Sequence, residues 1–592
     1  MFDLIIRNAY LVDGTGAEPY TADIAILNGV VAEIGSIEKK AKREIDAQGH
    51  LVSPGWVDIH THYDGQVTWD PYLSPSGWNG VTTAVIGNCG VGFAPAKPDR
   101  HDWLIGLMEG VEDIPGAALA EGITWEWESF PEYLDALEKM PRALDVATQV
   151  PHGSVRAYVM GERGARNEAA TPEDIAAMAE IVEEGLRAGA LGFSTSRTIL
   201  HLSIDGEPVP GTFANRDELL GIAGAMAKVG HGVFEMASDM TPAEDEFRWM
   251  AEASKDTGIP VTYALLQNPV EPQNWKKLLT MTDEAVAEGA QIKAQIAMRP
   301  TGLIMGWQST VHPFSFYDAY AEIADRPFAE RLEILRTPEM KQKLVEGVPR
   351  FEQVVDVEDG SMGSASGLSR IVARGYHTMF ALMKEGVAEY EPAPEDSIAA
   401  RAEALKVSPA ELVYDMMMEN DGTGYVYLPL LNYADFNFDH IAEMFHNPNT
   451  VVSLSDGGAH CGVITDASMP TYLLTHWVRS RTRGDRIALA AAVKAQTHDT
   501  ARLYGLDDRG TITVGQKADL NIIDLQKLNL GAPEMVFDLP AGGRRLIQKV
   551  DGYLYTIVNG VVTYENGTPT GQMPGRLIRG RQSAAVMDMA AE

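Results

Sequence analysis

Short apolar runs separated by turn residues mark both ends of the chain. Within residues 1–52, Asn28-Gly29 stands between two such runs and predicts a β-hairpin, because both residues tolerate positive φ. Residues 505–592 repeat the pattern, with Asn559-Gly560 between apolar runs. We therefore predict that the two ends pair into one small β domain. The Gly-, Pro- and Arg-rich tail after about residue 565 is expected to wrap the surface or a neighbouring subunit.

Residues 53–504 have a different pattern, in which strand-like apolar runs alternate with amphipathic helical segments. This alternation is typical of a parallel sheet covered by helices. One helix is expected to begin at Pro172, with Thr171 as its cap. Charged helical patterns and a Gly/Ser loop at 359–367 interrupt the series around residues 300–400, which we interpret as an elaborated barrel segment carrying a lid or insertion.

Composition limits the partners and the compartment. The net charge of −35 disfavours nucleic acid and anionic membrane surfaces. No apolar run approaches the about 20 residues that a membrane helix needs, and the first residues lack the features of a signal peptide. Two cysteines exclude a disulfide framework and suit a reducing cytoplasm. We expect a cytoplasmic homo-oligomer that acts on a small molecule.

The strongest chemical signal is the string Pro54-Gly55-Trp56-Val57-Asp58-Ile59-His60-Thr61-His62. Alternate residues of a strand point to the same face, so His60 and His62 would present two imidazoles side by side. Two neutral imidazoles at this spacing suit a divalent metal, most often zinc. An isolated His-x-His is more often a pair of hydrogen-bonded, partly buried histidines, so the surrounding sequence has to decide.

That surrounding sequence resembles the amidohydrolase superfamily. The resemblance rests on the 54–62 string, the β-rich first segment, and residues 509–520 followed by Val558-Asn559-Gly560. It implies an α/β fold in which a distorted TIM (β/α)8 barrel lies beside a small β-sandwich formed by both chain termini. It also implies that His60 and His62 end the first barrel strand as metal ligands.

A second string, Gly87-Asn88-Cys89-Gly90, follows a β-branched strand. A lone cysteine is more often a small core residue. The string nevertheless resembles the N-acyl-D-amino acid deacylase (D-aminoacylase) branch of the superfamily, which implies that Cys89 is a metal ligand. A third strand delivers Asp456 onto a Gly-rich turn, where an aspartate commonly caps the turn. The resemblance implies that Asp456 is both a metal ligand and the general acid/base.

The sequence also departs from that branch, which normally supplies two more histidines after its fifth and sixth barrel strands. The matching stretches, 233–239 and 260–267, contain none. Three explanations remain open. Glu235 or Asp239 replaces a histidine; one metal sits on His60, His62, Cys89 and Asp456 alone; or metal and catalysis have been lost together.

Three further residues are candidates for substrate binding. Arg197 and Arg299 follow predicted strand ends and could bind a carboxylate through two parallel hydrogen bonds, although solvated surface arginines are the simpler interpretation. His460 follows Asp456 within one turn.

The expected activity is that of a hydrolase acting on linear amides, with one or two zinc or other divalent ions as cofactor. It would cleave the C–N bond of an N-acyl amino acid or similar N-acyl amine. A hydantoinase-type cyclic amide hydrolase and a catalytically inactive interaction protein are the alternatives.

Overall fold

The computed structural model describes residues 1–353 and 365–584. Of the Gly/Ser loop at 359–367, which the sequence predicts as part of a lid or insertion, residues 359–364 lie outside the described residues.

The two chain ends combine into one sheet, which has nine strands in the described part of the chain. Its two halves meet where Leu51–Pro54 pairs antiparallel with Leu520–Ile523. The Asn28-Gly29 and Asn559-Gly560 turns both connect antiparallel strands, as the sequence predicts. A separate hairpin follows, formed by Asn529–Leu539 and Gly543–Asp551. The strands of the large sheet are Phe2–Leu11, Tyr20–Leu27, Val30–Gly35, Ala41–Asp46, Leu51–Pro54, Leu520–Ile523, Tyr553–Val558, Val561–Glu565 and Thr568–Pro569.

The middle of the chain contributes two parallel sheets. One holds Trp56–Asp58, Val81–Ile86 and Asp145–Thr148; the other holds Val150–Pro151, Gly192–Arg197, Val233–Ser238, Val261–Ala264, Ile292–Ile296 and Thr450–Val452. A hydrogen bond from Leu191 N to Thr148 O continues the pairing from one sheet to the next. Two backbone hydrogen bonds, from His62 N to Gly457 O and from Asp456 N to His60 O, join the segment after the last parallel strand to the segment after the first. This closed series is consistent with the predicted distorted barrel.

Helices lie between the parallel strands. The helix Pro172–Ala188 begins as predicted, because Thr171 and Asp174 exchange hydrogen bonds in a capping box, and it buries Met178, Val182 and Leu186. In the described residues, no helix is long and apolar enough to cross a membrane. The helices outside the 300–430 region are His101–Glu112, Gly116–Gly122, Phe130–Lys139, His152–Met160, Glu162–Ala165, Pro172–Ala188, Arg216–Val229, Ala243–Thr257, Asn274–Ala287, Asp439–His446, Met469–Tyr472, Leu489–Lys494 and Thr500–Leu503, with π-helical turns at Leu473–Ser480 and Ala495–Asp499.

The predicted insertion runs further than residue 400 and separates the last two parallel strands. Gly302–Met305 pairs antiparallel with Val426–Pro429, which also pairs with Phe380–Ala381. The segment has its own apolar core around Trp307. Its helices are Asp318–Ala321, Phe328–Leu335, Pro338–Val345, Arg350–Gln353, Ala365–Arg374, Ile398–Leu405 and Pro409–Gly422, and its short strands Met383–Lys384 and Val387–Ala388 pair with each other.

Buried charges connect the C-terminal segment to the parallel strands. Asp145 is fully buried and binds the Arg509 guanidinium at 2.6 Å and the Lys517 ammonium at 2.9 Å. The tail then returns to the same strand, where Ile578 N donates to Val146 O. The tail thus packs on its own chain, and the expected homo-oligomer stays a prediction.

Candidate metal centre

His60, His62, Cys89 and Asp456, which we call the His-Cys-Asp cluster, meet just beyond the carboxyl ends of three neighbouring parallel strands. Cys89 and Asp456 have φ values of 54° and 46°, a region that non-glycine residues adopt rarely and that is common at functional sites. Gly90 lets the Cys89 loop approach the strand Gly192–Arg197, since a Cβ on Gly90 would lie 2.8 Å from the Ser196 nitrogen. The local sequence therefore turns the thiol and the carboxylate towards the two imidazoles.

The donor atoms of the cluster converge. His60 Nε2 is 3.2 Å from Cys89 Sγ and 3.6 Å from Asp456 Oδ1, and His62 Nε2 is 3.7 Å from the same oxygen. Ligands of a tetrahedral zinc ion are about 3.3 Å apart for two nitrogen or oxygen atoms and about 3.6 Å apart for nitrogen and sulfur, as follows from the bond lengths. The cluster therefore has the spacing and the donor types of a divalent metal site.

The second nitrogen of each imidazole faces a polar partner. His60 Nδ1 is 3.0 Å from Gln295 Oε1, which also accepts a hydrogen bond from Ser453. His62 Nδ1 is 3.1 Å from Glu112 Oε1. Such contacts fix the ring orientation of metal-bound histidines and leave the other nitrogen free to bind.

Buried carboxyl groups without a cationic partner surround the cluster. Asp64, Glu112, Glu235 and Asp456 are all buried or nearly so, and in the described part of the chain none of them pairs with a lysine or arginine. Burial raises the pKa of Asp64 to about 7 and the pKa of Glu112 well above its usual range. Asp64 Oδ2 and Glu235 Oε1 have no hydrogen-bond partner among the described residues. Buried carboxylates without partners are costly, so these residues fit a bound cation.

The surroundings of the cluster shift the pKa values of the Cys89 thiol and the Asp456 carboxyl in opposite directions. Burial, and then the nearby charge of Glu235, raises the pKa of the Cys89 thiol well above its usual value. A thiolate there requires a cation such as a metal ion. For Asp456, burial acts to raise the pKa, but the His62 hydrogen bond and the charge of His60 outweigh it and hold the pKa well below its usual value. Asp456 is therefore an ionised carboxylate at neutral pH.

Residues 43–564 match the amidohydrolase family. The chain belongs to this family. N-acyl-D-glutamate deacylase of Alcaligenes xylosoxydans xylosoxydans is 26% identical to this amidohydrolase over 598 residues, which cover 98% of each chain. D-aminoacylase of the same organism is 36% identical over 195 residues, which are 33% of this chain and 37% of that protein.

A solved structure is similar over the same length. N-acyl-D-glutamate deacylase from Bordetella bronchiseptica, in complex with zinc and a phosphonate inhibitor, matches with a TM-score of 0.62 at 21% identity, covering 98% of this chain and 100% of that one. The resemblance predicted from the sequence motifs is thus confirmed, and this amidohydrolase is a hydrolase of carbon–nitrogen bonds other than peptide bonds.

Of the two acidic residues considered as replacements for a missing histidine, only Glu235 lies at the cluster. Glu235 Oε2 accepts a hydrogen bond from the Cys89 backbone N–H at 3.0 Å, and Oε1 is 3.8 Å from His60 Nδ1. Asp239 instead binds the loop after the strand Gly192–Arg197, through Thr198 Oγ1 and the Ile199 N–H. These contacts lend the alternative of Asp239 as a ligand no support, and it stays a prediction.

The structure pairs both candidate arginines with carboxylates of the protein. Glu246 binds Arg197 at 2.6 Å. Arg299 is fully buried, binds Asp466 at 2.7 Å and stacks on the Tyr390 ring at 4.1 Å. A substrate carboxylate would have to compete with these partners, so substrate binding by either arginine stays a prediction.

His460 does face the cluster region. Its Nε2 is 3.7 Å from Glu112 Oε2, and 28% of its side chain is exposed. A small pocket opens beside Asp456, lined also by Gln66, Thr465 and Arg545. His460 is not among the residues that line this pocket, so its contact with a substrate stays a prediction.

Three residues near the cluster escaped the sequence analysis: Glu112, Gln295 and His201. Glu112 follows Met108 by one helical turn on an apolar face, and Gln295 is a polar residue inside a buried strand, so each breaks its local pattern. His201 lies on the loop after Gly192–Arg197 and has no such signal. Burial and the charges of His460 and His62 lower the pKa of His201 to about 3, and Ser196 Oγ holds its Nδ1 at 3.0 Å.

Proposed function

We propose that this amidohydrolase uses a divalent metal ion, zinc in the first instance, to hydrolyse the amide bond of an N-acyl amino acid. The observation that carries the proposal is the convergence of His60 Nε2, His62 Nε2, Cys89 Sγ and Asp456 Oδ1 amid buried carboxylates that lack a cationic partner. Its relatives are named as deacylases of N-acyl-D-amino acids, so D-configured substrates are the first choice. We also interpret the closed series of parallel strands as a distorted (β/α)8 barrel.

The four cluster residues would hold the metal, whose chemistry is to polarise the amide carbonyl and to acidify a water molecule. Asp456 supplies the proton transfers, because it is ionised at neutral pH and 15% of its side chain is exposed towards the adjoining cavity. Its carboxylate takes a proton from the attacking water and then delivers it to the leaving nitrogen. No separate nucleophilic side chain is required.

Glu235 is the proposed replacement for one of the missing histidines. It lies on the strand Val233–Ser238, contacts the Cys89 backbone, and has an oxygen without any hydrogen-bond partner among the described residues. A carboxylate in place of an imidazole gives a harder, oxygen-richer site, in which zinc is favoured less exclusively over other divalent ions.

The test is amine release from a panel of N-acetyl D- and L-amino acids. The protein is assayed as purified, after chelation, and after zinc is restored. We expect activity that is lost on chelation and recovered with zinc. Asp456→Asn should lower kcat by about 10²- to 10⁴-fold, whereas Asp102→Asn, an exposed change on the helix His101–Glu112, should not. Metal-independent activity, or an unaffected Asp456→Asn variant, would refute the mechanism. Binding of zinc without hydrolysis of any linear or cyclic amide would favour the interaction-protein alternative.

A further inference from the structure

The helix that follows the second parallel strand ends at the metal centre. It spans His101–Glu112 and ends because Asp113 has a left-handed φ of 51°. Glu112 is the last helical residue and is only 1% exposed, although it carries a carboxylate. A buried acidic side chain at a helix C-terminus meets the unfavourable end of the helix dipole, so a specific contact must hold it there.

That contact is with His62. Glu112 Oε1 lies 3.1 Å from His62 Nδ1, at ion-pair distance but without regular hydrogen-bond geometry, and neither atom has a hydrogen-bond partner among the described residues. The opposite nitrogen of the same ring, Nε2, points to Asp456 at 3.7 Å. A carboxylate this close to Nδ1 favours the tautomer whose proton is on Nδ1, and that tautomer directs the lone pair of Nε2 into the His-Cys-Asp cluster.

The same helix end also binds the loop that carries Asp456. The backbone N–H of His460 donates to the backbone carbonyl of Glu112, and the Asp113 carboxylate accepts from Gly462 N at 3.1 Å. Asp113 further accepts from Thr310 Oγ1 in the insertion, at 2.8 Å. Three separate segments of the chain therefore meet at two consecutive residues.

We propose that Glu112 is a positioning residue of the metal centre: its side chain orients His62, while its backbone holds the loop of Asp456 and His460. This inference rests on the proposed function, because it requires that the cluster binds a metal. The two contacts are separable, since a substitution at position 112 removes the carboxylate and leaves the backbone carbonyl in place. The side chain should therefore govern metal affinity without displacing the loop.

The experiment measures zinc affinity of the full chain by competition with a chromophoric chelator, and the visible spectrum of the cobalt-substituted protein. We expect Glu112→Ala to weaken zinc binding about 10- to 100-fold and to change the cobalt d–d bands, while the thiolate band supplied by Cys89 persists. Glu112→Gln keeps an oxygen that accepts the same N–H, so it should recover most of the affinity. Asp102→Ala, on the exposed face of the same helix, is the matched control.

Wild-type zinc affinity and an unchanged cobalt spectrum in Glu112→Ala would overturn the inference while leaving the proposed function intact. Failure of the wild-type protein to bind zinc or cobalt would overturn both. If Glu112→Ala does not fold, Glu112→Asp provides the same test, because it keeps the charge but withdraws the carboxylate by one methylene. Weakened zinc binding is the expected result, and unchanged binding in that variant contradicts the assignment.

Discussion

Replacing Glu235 by glutamine should stabilise the metal-free protein at neutral pH. Glu235 is fully buried, and burial is the main reason that its pKa rises from 4.5 to about 7, with the charge of Asp456 adding to the rise and His60 and the Cys89 N–H opposing it. A carboxyl whose pKa is higher in the folded than in the unfolded protein favours folding at low pH. Its contribution is lost as pH rises from the unfolded to the folded pKa.

The size of the effect follows from these values. A folded pKa of about 7 in place of 4.5 corresponds to about 3 kcal/mol of stability lost by pH 8. Glutamine is close to isosteric and can still accept from the Cys89 N–H. Its NH2 group, however, would face a buried position without an acceptor, at a cost of about 1 kcal/mol. The variant should therefore be about 2 kcal/mol more stable than wild type at pH 8 and about 1 kcal/mol less stable at pH 4.5.

Urea unfolding of chelator-treated protein at both pH values measures this difference. Glu284→Gln, an exposed change on the helix Asn274–Ala287, controls for the loss of one negative charge and should show no reversal of sign with pH. With zinc added, the ranking at pH 8 should invert, because the variant lacks a proposed ligand. A Glu235→Gln protein that is less stable than wild type at pH 8 without metal would refute the electrostatic account of the cluster.

Two more predictions address the thiol and the buried charges. Cys89→Ser should bind zinc at least about 10-fold more weakly, because a serine hydroxyl is a poor substitute for a thiolate. If the variant and the wild-type protein retain equal zinc after dialysis against a weak chelator, Cys89 is not a ligand. Asp145→Asn should destabilise the protein by about 3 kcal/mol in urea unfolding, since it removes the buried partner of Arg509 and Lys517. The exposed Asp551→Asn change should leave the unfolding midpoint unmoved, and a similar midpoint for both variants would contradict this role of Asp145.

Much of the fold could be predicted from local patterns. The Asn28-Gly29 and Asn559-Gly560 hairpins and the capped helix Pro172–Ala188 depend on short-range preferences, which the sequence displays directly. The extension of the insertion to Pro429 could not be predicted from the sequence, because Gly302–Met305 pairs with Val426–Pro429, more than a hundred residues away. The path of the tail back to Val146 depends on long-range contacts in the same way.

The candidate site likewise contains residues that the sequence predicts and residues that it does not. His60, His62, Cys89 and Asp456 lie in recognisable strings at strand ends, and the structure brings them together. The residues that support them come from other parts of the chain: Glu112 from a helix end, Gln295 from a strand and His201 from a loop. Their importance depends on which atoms they face in three dimensions. The sequence motifs therefore predict the four cluster residues but not the residues that lie around them.

The most direct test of metal-dependent catalysis is the metal content per chain, measured by elemental mass spectrometry on purified wild-type protein and on His60→Ala. We expect near-stoichiometric zinc, or another divalent transition metal, in the wild type and a marked loss in the variant. A folded wild-type protein that contains no metal even after supplementation with zinc would contradict this expectation.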